Sequence, residues 1–165
     1  MFDNWQISGV TSALSGETLA IGYGIAGVSD LTGGAGSGVD TRVDIICDPN
    51  LSRGDRSPIR AFATECIAPP SAATNRIGTA TNDEIIGPGY LNWDISLAKV
   101  IPFGGTRRVT FRAELYNAFN TVQFSSVNTT ANFTSAGVLP ATTEFGQYTG
   151  ARPARRMHLT LRVDF

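Results

Sequence analysis

The C-terminal segment of the chain alternates strictly between apolar and polar residues. From Met157 to Phe165 every second residue is apolar, and the residues between them are polar or charged. A period of two places successive side chains on opposite faces of a β-strand. We therefore predict a strand over residues 155–165 with one apolar and one polar face. An aromatic final residue, here Phe165, is typical of the closing strand of a bacterial outer-membrane β-barrel.

Three further segments show the same alternation and predict strands over residues 4–14, 92–101 and 108–120. The second and third of these are separated by a short link that contains Gly104 and Gly105, which predicts a tight hairpin. The other connections, 15–91 and 121–154, are long. Transmembrane barrels have short periplasmic turns and long extracellular loops. The pattern predicts an all-β fold of antiparallel strands, a partial barrel with about four spanning strands and two long extracellular loops.

The two faces of these strands predict two environments. The polar faces would line the lumen of the barrel, and the predicted lumen-facing residues are Asp94, Arg112, Glu114, Arg156, His158, Arg162 and Asp164. The apolar faces would contact lipid through Ile95, Leu97, Phe111, Leu115, Leu159 and Leu161. We expect a hairpin register that pairs Ile95 with Leu115, which would place Ser96 beside Glu114 and Ala98 beside Arg112. Aromatic residues near the strand ends would form two interfacial belts, with Trp93 and Phe119 at the outer one and Trp5 and Phe165 at the inner one.

Four strands are too few to close a barrel, for which about eight is the practical minimum. Open sheet edges in lipid would leave backbone groups without partners. The N-terminal sequence MFDNWQISGV lacks the basic region, apolar core and cleavage site of a signal peptide. We therefore expect the chain to be the C-terminal piece of a larger protein.

Composition and charge restrict the function classes. The formal net charge is −1, so nothing suggests a nucleic-acid partner. No run of 18 apolar residues predicts a transmembrane helix, and barrel strands escape that criterion because they alternate. The only lysine is Lys99.

Two cysteines, Cys47 and Cys66, lie in a loop-like stretch rich in Pro, Asp and Arg. They could form a disulfide that staples a long extracellular loop in an oxidising compartment. The alternative is a pair of free thiols. Because no histidine lies nearby and there is no CxxC motif, a zinc site is not expected.

Residues that suggest cofactor binding or catalysis do so weakly. The segment GYGIAG, residues 22–27, matches G-x-G-x-x-G, but no helical pattern follows it, so we expect no dinucleotide site. The only histidine, His158, lies on a polar strand face without a second metal-ligand type beside it. No nucleophile, base and orienting group can be assembled from the sequence. We expect neither a cofactor, a metal nor enzymatic activity.

Several segments, taken together and in order, resemble one family. They are residues 4–16 (NWQISGVTSALSG), 48–56 (DPNLSRGDR), 87–103 (GPGYLNWDISLAKVIPF), 109–124 (VTFRAELYNAFNTVQF) and 145–165 (FGQYTGARPARRMHLTLRVDF). The series is similar to the C-terminal end of the Oar-like TonB-dependent receptors, Gram-negative outer-membrane proteins with an N-terminal carboxypeptidase-regulatory-like domain. The resemblance implies a monomeric barrel of about 22 strands, plugged by an N-terminal domain and energised by TonB, that moves bulky cargo across the outer membrane.

The resemblance also implies partners. They are outer-membrane lipid, the remainder of the barrel and its plug domain, the TonB complex through an N-terminal part that this chain lacks, and the barrel-assembly machinery. By resemblance to other outer-membrane proteins, the assembly signal would be carried by Leu159, Leu161, Val163 and Phe165. The family has no catalytic residues to transfer. The resulting hypothesis is the C-terminal barrel segment of a transporter; the alternative is a soluble or surface-attached β-rich binding or adhesion module without a transport role.

Overall fold

The computed structural model describes residues 3–27, 42–70, 78–81 and 84–165. Over these residues the fold is all-β, with a single turn of 3-10 helix at Thr64–Cys66. No helix in the described ranges has the length and apolar character needed to cross a membrane. The strands in chain order are β1 (Trp5–Leu14), β2 (Thr18–Leu19), β3 (Gly22–Ile25), β4 (Asp44–Ile45), β5 (Ile67–Ala68), β6 (Ile85–Ile86), β7 (Tyr90–Pro102), β8 (Arg108–Tyr116), β9 (Phe124–Val127), β10 (Thr130–Phe133), β11 (Tyr148–Ala151) and β12 (Arg156–Asp164).

The chain divides into two compact units. Unit 1 contains Met1–Ser15, Gly89–Gln123 and Arg152–Phe165, and unit 2 contains Gly16–Pro88 and Phe124–Ala151. The four long strands all belong to unit 1, and the short strands belong to unit 2.

Unit 1 is one antiparallel sheet with the order β1-β7-β8-β12. The register between β7 and β8 is the predicted one: Ile95 lies opposite Leu115, Ser96 opposite Glu114, and Ala98 opposite Arg112. The sheet is open, since its outer strands β1 and β12 each pair with one neighbour among the described residues. The antiparallel all-β prediction is confirmed, and the four described strands do not close into a barrel.

The turn between β7 and β8 has the predicted tight form. Gly104 and Gly105 have φ angles of +120° and +60°, a region that residues with a side chain rarely occupy. The Phe103 N–H donates to the Arg107 carbonyl at 3.2 Å, and the Arg107 N–H donates to the Gly104 carbonyl at 3.1 Å.

The prediction of a third strand over residues 108–120 was wrong at its C-terminal end. The strand β8 ends at Tyr116, because Asn117 adopts the left-handed conformation with φ 53°. Asn120 also has a positive φ, of 52°. Asparagine tolerates this region better than other residues with a side chain, so residues 117–120 turn the chain away from the sheet. The other three strands differ from their predicted bounds by one or two residues.

The prediction that residues 15–91 and 121–154 form long loops was incomplete, because much of both segments folds into unit 2. Its buried core is made of Val43, Ala61, Phe62, Ile67, Ala80, Ile85, Ala131, Phe133 and Phe145. Phe62 and Phe145 pack edge to face with ring centroids 5.3 Å apart. The strands β3 and β10 pair in parallel and join the two segments to each other. Unit 2 is therefore a packed body with its own apolar core.

Candidate functional site

The two faces of the four-stranded sheet differ sharply in polarity. The register places the seven predicted lumen-facing residues on the same face, together with Arg108 and Tyr116. On this polar face Asp164 accepts hydrogen bonds from Arg108 Nε at 3.0 Å and from Arg162 Nε at 2.8 Å. Arg112 and Glu114 form a longer ion pair of 3.8 Å. The His158 ring lies edge to face against Tyr116, with the ring centroids 5.2 Å apart.

The opposite face is apolar and open. Leu159 and Leu161 of β12 are 61% and 68% exposed, and Ile7 of β1 is 75% exposed. Phe111 is 38% exposed, and Leu97 is half-buried. A face of large exposed aliphatic and aromatic side chains is unusual for a domain surrounded by water. It is the normal outer surface of a barrel in lipid.

The residues named as an assembly signal extend along this apolar face from the middle of β12 to the last residue of the chain. Leu159, Leu161 and Val163 share the face on β12, and Phe165 follows the strand with 92% of its surface exposed. Their role in assembly stays a prediction.

One residue of the apolar face, Lys99, departs from the predicted alternation. It lies opposite Trp5 on β1 and Phe111 on β8. Its ammonium group donates a hydrogen bond to the Asp3 carbonyl oxygen and lies 5.0 Å from the centre of the Trp5 ring. The aliphatic part of a lysine side chain can lie along an apolar surface while its charge reaches a polar boundary. The sequence indicated this position, because Lys99 lies between Leu97 and Ile101 with the same odd-numbered parity.

A cleft of about 180 Å³ lies at the end of the sheet away from the Gly104–Gly105 turn, within unit 1. It is lined by Tyr90, Asn92, Asp94, Tyr116, Asn117, Gln123, Arg152, Pro153, Ala154 and Arg156. Two arginines and one aspartate therefore line the same space. Of these residues, Asp94 and Arg156 were among the predicted lumen-facing residues.

Asp94 organises one wall of the cleft. Its Oδ1 atom accepts a hydrogen bond from Asn92 Nδ2 at 2.8 Å and another from the backbone N–H of Asn117 at 2.9 Å. Asn92 is 7% exposed, and a buried amide of this kind is stable when it is hydrogen-bonded. The Asp94 carboxylate thus joins β7 to the turn that ends β8.

The Asn117 side chain stabilises that turn. Its Oδ1 accepts from the Thr121 N–H at 3.0 Å, and its Nδ2 donates to the Thr121 carbonyl at 3.1 Å. Ala118 donates its N–H to the Trp93 carbonyl at 2.8 Å, and the Phe119 ring packs edge to face on Trp93 at 6.0 Å. Trp93 and Phe119, which were predicted to belong to the same interfacial belt, are therefore in direct contact.

The other wall depends on Gln123, which is 8% exposed. Its side chain forms two hydrogen bonds with the backbone of Leu91, as a neighbouring strand would. Nε2 donates to the Leu91 carbonyl at 2.7 Å, and Oε1 accepts from the Leu91 N–H at 3.1 Å. The Gln123 carbonyl accepts the Arg152 N–H at 2.7 Å. The Arg152 guanidinium then lies over the Tyr90 ring, 4.3 Å from its centre, in a cation–π contact.

The segments GPGYLNWDISL and FRAELYNAFN thus meet at the cleft, which gives both segments a structural role. The contacts of Asn117 and Gln123 had no signal in the alternation, because these two residues lie beyond the paired strands. The contribution of Arg152 could not be found from spacing, since it depends on a backbone hydrogen bond to a residue 29 positions away.

Cys47 and Cys66 form a disulfide in unit 2, with Cα atoms 4.9 Å apart. The described residues contain no group of three or more His, Cys, Asp or Glu side chains arranged to hold a metal ion. The segment GYGIAG begins with β3, and β3 pairs with β10.

Comparison with known proteins agrees with this geometry. The family model of the outer membrane beta barrel domain matches residues 1–158. No curated protein and no solved structure gives a significant match. Since the family model covers nearly the whole chain, this protein belongs to the outer membrane beta barrel family and is located in the outer membrane.

Proposed function

We propose that the chain is the C-terminal part of a TonB-dependent outer-membrane transporter, in which it forms part of the barrel wall and the extracellular loops. The observation that carries the proposal is the two-faced sheet of unit 1. One face presents exposed Leu, Ile and Phe side chains, and the other presents hydrogen-bonded charged groups. A wall of this kind separates hydrocarbon from a wet interior.

The charges support an aqueous lumen. An arginine on the lipid side of a barrel costs about 2–4 kcal/mol at the bilayer midplane. The sheet keeps Arg108, Arg112, Arg156 and Arg162 on the polar face. In the proposed barrel these arginines line the lumen together with Asp94, Glu114 and His158.

The edges of the sheet support a barrel with more strands. The backbone groups on the outer edges of β1 and β12 have no strand partner among the described residues. In hydrocarbon each unpaired backbone group would cost several kcal/mol. Further strands that pair with these edges would remove that cost, as the remainder of the proposed barrel would do.

The long connections support a receptor role. The segments of unit 2 link β1 to β7 and β8 to β12, whereas β7 and β8 are linked by the short glycine turn. With the glycine turn on the periplasmic side, the connections between β1 and β7 and between β8 and β12 would be extracellular. The apolar core and the disulfide of unit 2 would make these connections a stable platform for contact with a ligand. The proposal assigns the chain no catalytic role.

The experiment compares three strains of the source bacterium: the parent, a strain with this gene disrupted, and a strain with the TonB system inactivated. Each strain grows in a complex medium, and depletion of compounds from the medium is followed by mass spectrometry. We expect at least one compound to be taken up by the parent but by neither mutant. Re-expression of the gene should restore its uptake, and that control separates transport from a general envelope defect.

Two results would contradict transport. One is identical depletion by all three strains. The other is a disruption phenotype limited to surface attachment and independent of TonB, which would favour the alternative of a surface-attached binding or adhesion module. The disulfide and the buried apolar core of unit 2 are the features that suit this second function.

A further inference from the structure

We propose that the cleft of unit 1 binds an oxyanion, a carboxylate or a phosphate, carried by a soluble ligand. The inference rests on the proposed function, because a soluble ligand reaches the cleft only if the polar face lines an aqueous lumen. It adds a chemical class of ligand and names two residues that would hold it, Arg152 and Arg156.

The charges of the cleft favour an anion. Among the described residues, neither the Arg152 nor the Arg156 guanidinium has a hydrogen-bonded or ion-paired partner, and Arg152 makes a cation–π contact with the Tyr90 ring. Farther along the same face, Arg108 and Arg162 share the Asp164 carboxylate, and Arg112 pairs with Glu114. Of these five arginines, Arg152 and Arg156 are therefore the two that have no carboxylate partner among the described residues.

The carboxylate in the cleft forms no ion pair with either arginine in the described part of the chain, and one carboxylate leaves the two arginines with a net positive charge. The Asp94 Oδ1 atom already accepts from Asn92 and Asn117, and those bonds hold Asp94 against β7 and the β8 turn. A guanidinium presents a planar set of N–H donors that matches the two oxygens of a carboxylate or phosphate.

Arg152 is held in position before any ligand arrives. Its backbone N–H is bonded to Gln123, which is itself bonded at both ends of its side chain to Leu91, and its guanidinium is fixed against Tyr90. An arginine restricted in this way loses less side-chain entropy on binding than a free surface arginine.

The position of the cleft selects a soluble source for the anion. The register puts Asn92, Asp94 and Tyr116 on the polar face, and Arg156 pairs with Tyr116 on that same face. Lipid phosphates contact the opposite, apolar face of a barrel wall. A ligand in the proposed lumen would instead meet the cleft close to the extracellular side.

The test measures binding of three small sugars to the purified full chain in detergent micelles at low ionic strength by titration calorimetry. Glucuronate carries a carboxylate, glucose 6-phosphate carries a phosphate, and glucose is the neutral control. We expect saturable binding of at least one anion and none of glucose, and the two anionic arms show which oxyanion the cleft prefers. The variants Arg152→Gln and Arg156→Gln should each weaken binding roughly 10- to 100-fold, as expected for loss of a hydrogen bond to a charged group.

Arg155→Gln is the matched control. It removes the same charge from the adjacent position, yet Arg155 does not line the cleft, so binding should change less than about twofold, an effect well below that of a lost charged hydrogen bond. Circular dichroism of each variant checks that the sheet is retained. If Arg152→Gln fails to fold, Arg156→Gln and the charge-preserving Arg152→Lys, which should also weaken binding, provide the same comparison.

Either of two results would overturn the inference. One is the absence of saturable binding of both anions at millimolar concentration. The other is an equal loss of affinity in the Arg155 and Arg156 variants, which would indicate diffuse attraction to a basic surface. Both are readouts of binding to the isolated chain, so they are distinguishable from a failure of TonB-dependent uptake in cells.

Discussion

Replacing Leu159 with arginine should destabilise the membrane-inserted sheet, whereas the same replacement at the adjacent His158 should not. Leu159 lies near the middle of β12, opposite Ala113, which in turn lies opposite Leu97. The position is on the apolar face and far from both ends of the sheet. His158 lies on the polar face, opposite Glu114, where a new guanidinium would meet a carboxylate.

The magnitude follows from the exposure of Leu159. Full burial of a leucine side chain contributes about 1.5–3 kcal/mol, and since Leu159 is 61% exposed in the sheet, its contact with hydrocarbon would contribute about 1–2 kcal/mol. A guanidinium near the bilayer midplane raises the total cost to about 2–4 kcal/mol. That cost corresponds to roughly a 30- to 700-fold decrease in the folding equilibrium constant.

The assay is equilibrium unfolding in phosphatidylcholine vesicles by urea, followed by the fluorescence of Trp5 and Trp93. Leu159→Arg should lower the free energy of unfolding by the stated amount, and His158→Arg should change it by less than about 1 kcal/mol, the upper range for an exposed ion pair. Equal losses in the two variants, or a larger loss for His158→Arg, would refute the assignment of the faces.

Three further predictions concern the turn, the disulfide and the core of unit 2. Asn117→Gly keeps the left-handed conformation but loses the two hydrogen bonds to Thr121, so it should lower the free energy of unfolding by about 1–2 kcal/mol in the same assay. Asn117→Ala should lower it by about 1 kcal/mol more, because alanine disfavours the left-handed conformation. Equal losses in the two variants would contradict the role of the positive φ. Reduction of the disulfide between Cys47 and Cys66 should destabilise unit 2 by about 3 kcal/mol. Limited proteolysis should then cut residues 16–88 faster, while the long strands stay protected. An unchanged cleavage rate would contradict a stabilising role of the disulfide. Phe62→Ala removes a side chain that is 1% exposed and should lower the stability of unit 2 by about 3–5 kcal/mol. Ile59→Ala, at a residue that is 71% exposed, is the control. Similar rates of proteolysis for the two variants would contradict a packed core.

The strands of unit 1 could be predicted because their alternation is set by two different surroundings. Each apolar residue of β12 is followed by a polar one, and a slip of one residue would reverse every side chain. The same constraint makes the pairing of Ile95 with Leu115 predictable from the amino-acid sequence. The end of β8 was not predictable from alternation, because Phe119 continues the apolar parity beyond Asn117, and only the left-handed backbone of Asn117 breaks the strand.

The fold of unit 2 and the residues of the cleft could not be predicted from the alternation of apolar and polar residues, for a different reason. The short strands of unit 2 have two to four residues, too few to show a period. The parallel pair of Gly24 with Asn132 joins segments more than 100 positions apart, and no local signal reports such a contact. The cleft likewise depends on Gln123 and Arg152, whose positions are set by hydrogen bonds that form only in the folded chain.

The central claim is that alternate residues of one strand face lipid and water, and site-directed spin labelling of β12 tests it most directly. Single nitroxides are placed at each position from 157 to 164 in the chain reconstituted in vesicles, in a background with Cys47→Ser and Cys66→Ser. Collision with oxygen, which concentrates in hydrocarbon, is then compared with collision with a water-soluble nickel complex. We predict that positions 157, 159, 161 and 163 favour oxygen and that the even positions favour nickel, with a period of two. Labels that report the same surroundings at all eight positions would contradict the account.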